Sequence, residues 1–302
     1  MFGSDLKRRY GEKIHKLTLH GGFSCPNRDG TLGRGGCTFC NVSSFADEIN
    51  QYQTIEVQLA KRAAEVKNRA KRYLAYFQAY TSTYAEVCLL KKMYEQALNQ
   101  TDIVGLCVGT RPDCVSEDVL KLLSRYQQQG YEVWLELGLQ SAHDKTLKRI
   151  NRGHDFASYI KTAEIARQLG LKVCTHLIVG LPGETKSDCL TTLDKVVDVG
   201  VDGLKLHPLH IVEGSTMAKA WANGRLAALE METYTEIAGE MIRHTPIDII
   251  YHRVSATAQC PPLLAPLWCE KRWPSLIAIS RYLTAHGNQG SALNQTFTFQ
   301  EC

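Results

Sequence analysis

The chain has 302 residues, 44% of them apolar and 22% charged, with 23 Gly, 9 Pro and a net charge of +4. Those values exclude a disordered, collagen-like or low-complexity chain, and they allow an RNA partner without arguing for one. No apolar run is long enough to cross a membrane, and the opening MFGSDLKRRYGEK lacks the basic-then-apolar order of a signal peptide, so a cytoplasmic location is expected.

In chain order, short apolar and β-branched runs alternate with stretches of helical period. Strands are expected at 14–22, 75–81, 102–110, 131–140, 171–181 and 202–211. Helices are expected near 53–72, 85–99, 116–129, 143–150, 156–169 and 187–199, three of them closed by Gly130, Gly170 and Gly200. Strand–helix alternation implies parallel strands with right-handed crossovers, hence a doubly wound sheet or a complete or partial barrel. Beyond residue 212 come helical patches at 216–223 and 230–244, a seventh apolar run at 247–255, the loop CPPLLAP and an amphipathic stretch near 274–285. No linker separates an independent domain, so residues 1–212 read as a core and 213–302 as an extension packed on it.

The chain has eleven cysteines, an odd number scattered through apparent core strands, which does not read as a disulfide framework. Three of them stand together in SCPNRDGTLGRGGCTFCN: Cys25, then eleven residues, Cys37, then two, Cys40. They follow the first strand, where parallel sheets gather functional residues. A structural zinc would want a fourth nearby ligand, and the segment has none; His15 and His20 precede it on the strand. Three cysteinates on a four-iron cluster would leave one iron open to a small molecule. Three unrelated core thiols fit a glycine-rich loop poorly. The glycines free the backbone to curl around a cluster and offer amide groups to sulfur.

The long first gap, together with YFQAYTSTYAEV, VGLCVGTRPDC, ELGLQSAHDKTLKRINRGHD, HLIVGLPGET and LKLHPLHIVEGS, resembles the radical S-adenosylmethionine (SAM) enzymes, and within them the YhcC family. More distantly, the NRGH and GLPGET elements are similar to the catalytic subunit of Elongator and to oxygen-independent coproporphyrinogen oxidase. The resemblance implies an α/β fold, a partial parallel (βα)6 TIM-like barrel with a C-terminal extension. It also implies a [4Fe-4S] cluster on Cys25, Cys37 and Cys40, whose open iron binds SAM. One-electron reduction, by a donor such as flavodoxin or ferredoxin, would cleave SAM to a 5'-deoxyadenosyl radical that takes hydrogen from a substrate.

Residue by residue, the resemblance implies that Gln140 meets the SAM ribose with Ser141 assisting, and that Arg152 pairs with the SAM carboxylate. His176 stands where the oxidase has an acidic ribose ligand, and Ile178 would pack on adenine. The Gly-Gly-Glu element common on the second strand is absent, leaving Tyr80 and Thr81 to replace it through backbone groups. Phe39 would face the cluster's surroundings. Lys205 and His207 alternate on the sixth strand and would reach SAM or substrate, with His252 and Arg253 as weaker candidates. The Elongator likeness points to RNA, a tRNA uridine, with a small metabolite or porphyrin-like molecule and a protein as the other substrate classes. The basic stretch 60–73, with Lys61, Arg62, Lys67, Arg69, Lys71 and Arg72, would offer charge to phosphates. A zinc-stabilised RNA-binding module and an iron-sulfur electron carrier are the competing classes.

Overall fold

A computed structural model of the chain describes residues 1–41 and 53–293. Cys302 and the end of the extension lie outside the described residues. The strands are β1 (Ile14–Leu19), β2 (Arg72–Phe77), β3 (Ile103–Thr110), β4 (Glu132–Gln140), β5 (Lys172–Val179), β6 (Gly203–Pro208), β7 (Ile211–Val212), β8 (Ile250–Arg253) and β9 (Leu263–Ala265). Seven of them form a parallel half-barrel in the order β1-β2-β3-β4-β5-β6-β8, the partial TIM-barrel arrangement expected. The run at 247–255 supplies the seventh strand. The remaining two, β7 and β9, make a separate antiparallel pair that the sequence pattern did not reveal.

Helices occupy the crossovers: α1 (Phe2–Tyr10), α2 (Pro26–Asp29), α3 (Ile55–Val66), α4 (Val87–Leu98), α5 (Glu117–Gln128), α6 (Asp144–Arg149), α7 (Phe156–Gln168) and α8 (Lys186–Val199). After β6 come α9 (Thr216–Ala222), α10 (Met231–Arg243) and α11 (Arg272–His286). The chain divides into two compact units: Met1–Gly36, Phe45–Leu139 and Ala157–Thr175 in the first, Cys37–Ser44, Gln140–Phe156 and His176–Cys302 in the second.

In the first unit the strands are near-continuous apolar runs, as parallel strands covered on both faces must be. Leu74, Ala75, Phe77, Leu106, Val108, Val133, Leu135 and Leu137 are fully buried. Each such large side chain contributes roughly 1.5–3 kcal/mol on burial. Lys16 on β1 donates to Glu136 on β4 at 2.5 Å, with Glu136 wholly buried. Two strands lie between them, and at about 4.8 Å per strand a flat sheet would hold them roughly 14 Å apart. The sheet's curl is what brings the pair together.

At the N-terminal end of β4, Glu132 accepts from Arg9 through both oxygens (2.6 and 2.7 Å), from Lys172 (2.9 and 3.1 Å) and from Trp134 Nε1 (2.6 Å). Burial alone would raise its pKa. The Arg9 and Lys172 hydrogen bonds and the Lys172 charge overcome that and hold it at about 2.

In the second unit, α10 lies against α11 so closely that a Cβ on Gly239 would meet the Tyr282 ring at 2.3 Å. Buried Tyr234 donates to the Val254 carbonyl at 2.7 Å, and a small apolar cluster of Val212, Ala258, Leu263 and Cys269 gathers beside Trp268.

Two expectations differ in their bounds: the strand expected over 75–81 runs Arg72–Phe77, leaving Tyr80 and Thr81 beyond it, and the helix before it is shorter. The helix expected over 53–72 ends at Val66, because Ala70 is buried and β2 begins at Arg72, paired with Ile14. Lys61 and Arg62 remain on α3, whereas Lys67, Arg69, Lys71 and Arg72 do not continue it, so 60–73 is not one basic helical face. Arg62 also pairs with Glu65, and Arg72 with Glu12. Among the described residues no helix is long and apolar enough to cross a membrane.

Glu132 gives a signed pH prediction. Its carboxylate is held below the unfolded value of 4.5, so its stabilisation is complete above that pH and is lost as pH falls through about 2. Urea unfolding of the native protein between pH 7 and pH 3 is expected to show that loss, and Glu132→Gln to lower stability at pH 7 by about 3 kcal/mol with a flatter acid limb.

Candidate functional site

In the first unit, the chain leaving β1 is fixed before it reaches Cys25. Buried Gln58 of α3 accepts from the His20 amide (2.8 Å) and donates to the His20 carbonyl (2.9 Å). The Thr81 amide, just beyond β2, donates to the Ser24 carbonyl at 3.2 Å. Half-buried Cys25 caps the single turn of α2, with Pro26 as its first residue. The glycine-rich excursion then folds back onto that turn: Leu32 and Gly33 amides reach the Pro26 carbonyl, and Gly36 that of Asn27. Gly36 sits at φ 80, where a Cβ would stand 2.8 Å from Arg28 Nε. The glycines therefore serve a tight closed loop.

The second unit holds Cys37 and Cys40, buried and half-buried, in a turn closed by the Cys40 amide on the Cys37 carbonyl at 2.9 Å. Backbone bonds grip it on two sides. Thr38 donates to the Ile150 carbonyl (2.9 Å) and accepts from the Met217 amide (3.0 Å), while Asn41 donates to the Glu213 carbonyl (2.6 Å). Arg152, 7% exposed, donates from Nη1 to Cys37 Sγ at 3.4 Å. The arginine read as a SAM carboxylate partner thus stands against a cysteine sulfur. Phe39 is half-buried between the two cysteines.

Among the described residues, three other than glycine have positive φ: Tyr80 (58), Gln140 (83) and Asn151 (51). Two of them are SAM candidates just past or at strand ends. Such a backbone is costly for a side chain and collects at ligand sites. Ser141 is fully buried, and its hydroxyl is engaged, donating to Glu184 and accepting from the His143 amide. Burial raises the Glu184 carboxyl against the Ser141 and Thr146 hydrogen bonds. That pair ties the loop after β4 to the GLPGET turn. Within the turn, Arg149 donates to the Pro182 carbonyl at 2.6 Å and Thr185 with Asp188 forms a reciprocal cap on α8. On β5, His176 and Ile178 share the half-exposed face while Thr175, Leu177 and Val179 are buried. His176 stacks on His207 with ring centres 5.9 Å apart, and Lys205 is 4% exposed.

Two residues escaped the sequence reading. Arg111, after β3, is 2% exposed and clamped by Asp113 (2.8 and 2.9 Å), with Nη1 enclosed and unbonded. Burial works against its charge, while Asp113 and then the Cys25 and Cys114 sulfurs favour it. The Arg-Pro-Asp order was its only signal. His210 is the other, in a His-Pro-Leu-His stretch read only as far as its first histidine.

A radical SAM superfamily model matches residues 28–196, and a radical SAM C-terminal domain model matches 201–285. The chain belongs to the radical SAM superfamily. It is 70% identical to Protein YhcC of Escherichia coli K12 over 98% of this chain and 95% of that one. It is 31% identical to the tRNA uridine(34) acetyltransferase of Methanocaldococcus infernus, over 47% of this chain and 27% of that protein. Among solved structures, archaeal Methanocaldococcus infernus Elp3 matches with a TM-score of 0.66 at 18% identity, over 90% of this chain and 63% of that one. Coproporphyrinogen III oxidase from Escherichia coli matches at 0.51 and 18%, over 79% and 54%. These two establish the fold. The protein is accordingly a radical SAM enzyme.

The donor set suits the group the superfamily implies. Arg152 is a buried cation beside Cys37, and Arg111 a buried cation whose charge the Cys25 sulfur favours, so positive charge stands ready to offset an anionic group held there. None of the ten described cysteines is in a disulfide.

If Gln140 keeps its φ of 83 for a ligand rather than for the fold, Gln140→Gly should unfold in urea with no loss of stability or a gain of up to about 1 kcal/mol. Gly183→Ala should lose about 1–2 kcal/mol, since Gly183 has φ 80 and a Cβ there falls 2.0 Å from Arg149 Nη1. A marked loss in Gln140→Gly would make that side chain structural.

Proposed function

We propose that Cys25, Cys37 and Cys40 hold a [4Fe-4S] cluster, that SAM binds beside it, and that the enzyme acts on a uridine of tRNA. When bound, the cluster and SAM supply reductive cleavage to a 5'-deoxyadenosyl radical, which takes hydrogen from the substrate. The chain's own contribution is placement and charge. Arg152 and Arg111 offset negative charge at the cysteines, and Gln140, held at its positive φ, presents an amide for the ribose hydroxyls. Tyr80 and Thr81 present backbone groups for the SAM amino end. His176 and Ile178 offer the face of β5 to ribose and adenine, and the GLPGET turn closes beside them.

The tRNA assignment rests on the shared stretch with the tRNA uridine(34) acetyltransferases, and no longer on a basic helix. A flavodoxin or ferredoxin is the reductant we propose, and the cytoplasm, where unbridged thiols persist, the compartment.

After anaerobic reconstitution, the native protein should carry about four irons per chain and release 5'-deoxyadenosine from SAM with dithionite. Alanine at Cys25, Cys37 or Cys40 should abolish both, while Cys88→Ala and Cys260→Ala, at exposed positions, should change neither. Gln140→Gly should retain its iron yet bind SAM about tenfold more weakly, as loss of about 1.4 kcal/mol of hydrogen bonding implies. For the substrate, nucleosides of bulk tRNA from cells lacking the protein should differ at one modified uridine and recover on complementation. Unchanged tRNA nucleosides would reject RNA as the substrate.

A further inference from the structure

The most unusual grouping outside the cysteine turns lies wholly within the second unit, on β5, β6 and β8. The register of β6 on β8 slips between Leu204 and Lys205: Leu204 pairs with Tyr251, but Lys205 pairs with Arg253, skipping His252. Without that irregularity Lys205 would face His252. With it, two cationic residues become register partners, an arrangement that costs stability where nothing acidic offsets it.

Nothing acidic repays the cost at Arg253, which forms no ion pair among the described residues. Lys205 is 4% exposed. Two residues along β6 stands His207, and beyond the strand His210; Nε2 of each is enclosed and without a hydrogen-bond partner among the described residues. The groups acting on His207 after burial are Arg253, His176, Lys205 and His210, all cations or bases, and they hold it well below its ordinary pKa. Burial, with Arg253 and against a hydrogen bond to the Ala256 backbone, holds His210 at about 4. Both imidazoles are thus neutral at pH 7, able to donate to or accept from a ligand without adding charge.

A bulge that sets two cations together, half or wholly out of water, beside two unbonded imidazole nitrogens, is a device for an anion. Enclosure selects its size. A nucleic-acid backbone is held by solvated surface charge, whereas this site admits only a compact group projecting inward.

We propose that Lys205 and Arg253, with His207 and His210 beside them, form the substrate subsite that takes a compact anionic group, a carboxylate or a phosphate. The inference rests on the radical SAM reading and competes with the tRNA assignment: it takes a small anionic molecule, rather than RNA, as the class on which that chemistry acts. It gives Lys205 and His207, which the sequence left to SAM or substrate, to the substrate.

The test uses the reconstituted, SAM-saturated protein at constant ionic strength, with chloride exchanged for inorganic phosphate or for acetate. Either anion should raise the thermal midpoint of the native protein by about 3 °C or more. Arg253→Gln should unfold no earlier than the native protein in chloride, because it relieves the like-charge pair, and neither it nor Lys205→Met should respond to the anion. A response to phosphate alone assigns a phosphate group, to acetate alone a carboxylate, and to both an anion of either kind.

No shift with either anion, or the same shift in the variants, overturns the proposal. So does a shift seen in the SAM-free protein but absent from the SAM-saturated one, since the site would then belong to SAM's own carboxylate. Release of 5'-deoxyadenosine, measured in the same samples without substrate, reports on the radical reading separately. Cleavage without anion response defeats the subsite alone.

Discussion

A parallel strand can be followed by its neighbour only through a crossover, so every strand of this sheet delivers its C-terminal end to the same edge. That constraint sorts the residues of the chain into two kinds. At the other end of β4, Glu132 meets Arg9, Lys172 and Trp134, an arrangement that satisfies every charge and serves stability. At and beyond the C-terminal ends stand Arg111 Nη1 and the enclosed nitrogens of His207 and His210, which are unbonded, and the Tyr80 and Gln140 backbones, held at positive φ.

The cysteine turns show the same division of labour. Glycines close the excursion after Cys25 onto α2 by backbone hydrogen bonds, and Thr38 and Asn41 anchor the second turn to the stretches around Ile150 and Met217. The thiols are left as the chemical content of a framework built from main chain. Arg152 then joins two motifs far apart in sequence, since the NRGH arginine reaches the CTFC cysteine. Other thiols differ. Cys107, Cys174, Cys189 and Cys269 are buried as small apolar groups, and burial pushes the last two up to about 12.

Much of the architecture was legible because parallel strands bury both faces and so appear as unbroken apolar runs, from LCVG to LIVG. The end of α3 was not, because Lys67, Arg69 and Lys71 continue a helical composition and only the pairing of Arg72 with Ile14 ends the helix. The pair of β7 and β9 is too short to leave a pattern. Among site residues, the cysteine spacing could be read directly, and the NRGH arginine only through the family resemblance. Arg111 and His210 could not, since nothing local distinguishes a clamped buried arginine from a surface one, and the slip that sets Arg253 against Lys205 exists only in the paired strands.

The central claim is that three cysteines leave one iron open for SAM. Electron paramagnetic resonance of the dithionite-reduced protein, recorded with and without SAM, tests it most directly. The account predicts a [4Fe-4S] signal that changes on SAM addition, as direct ligation of the open iron requires. A signal identical with and without SAM would contradict it, and the protein would then carry electrons on its cluster without SAM chemistry.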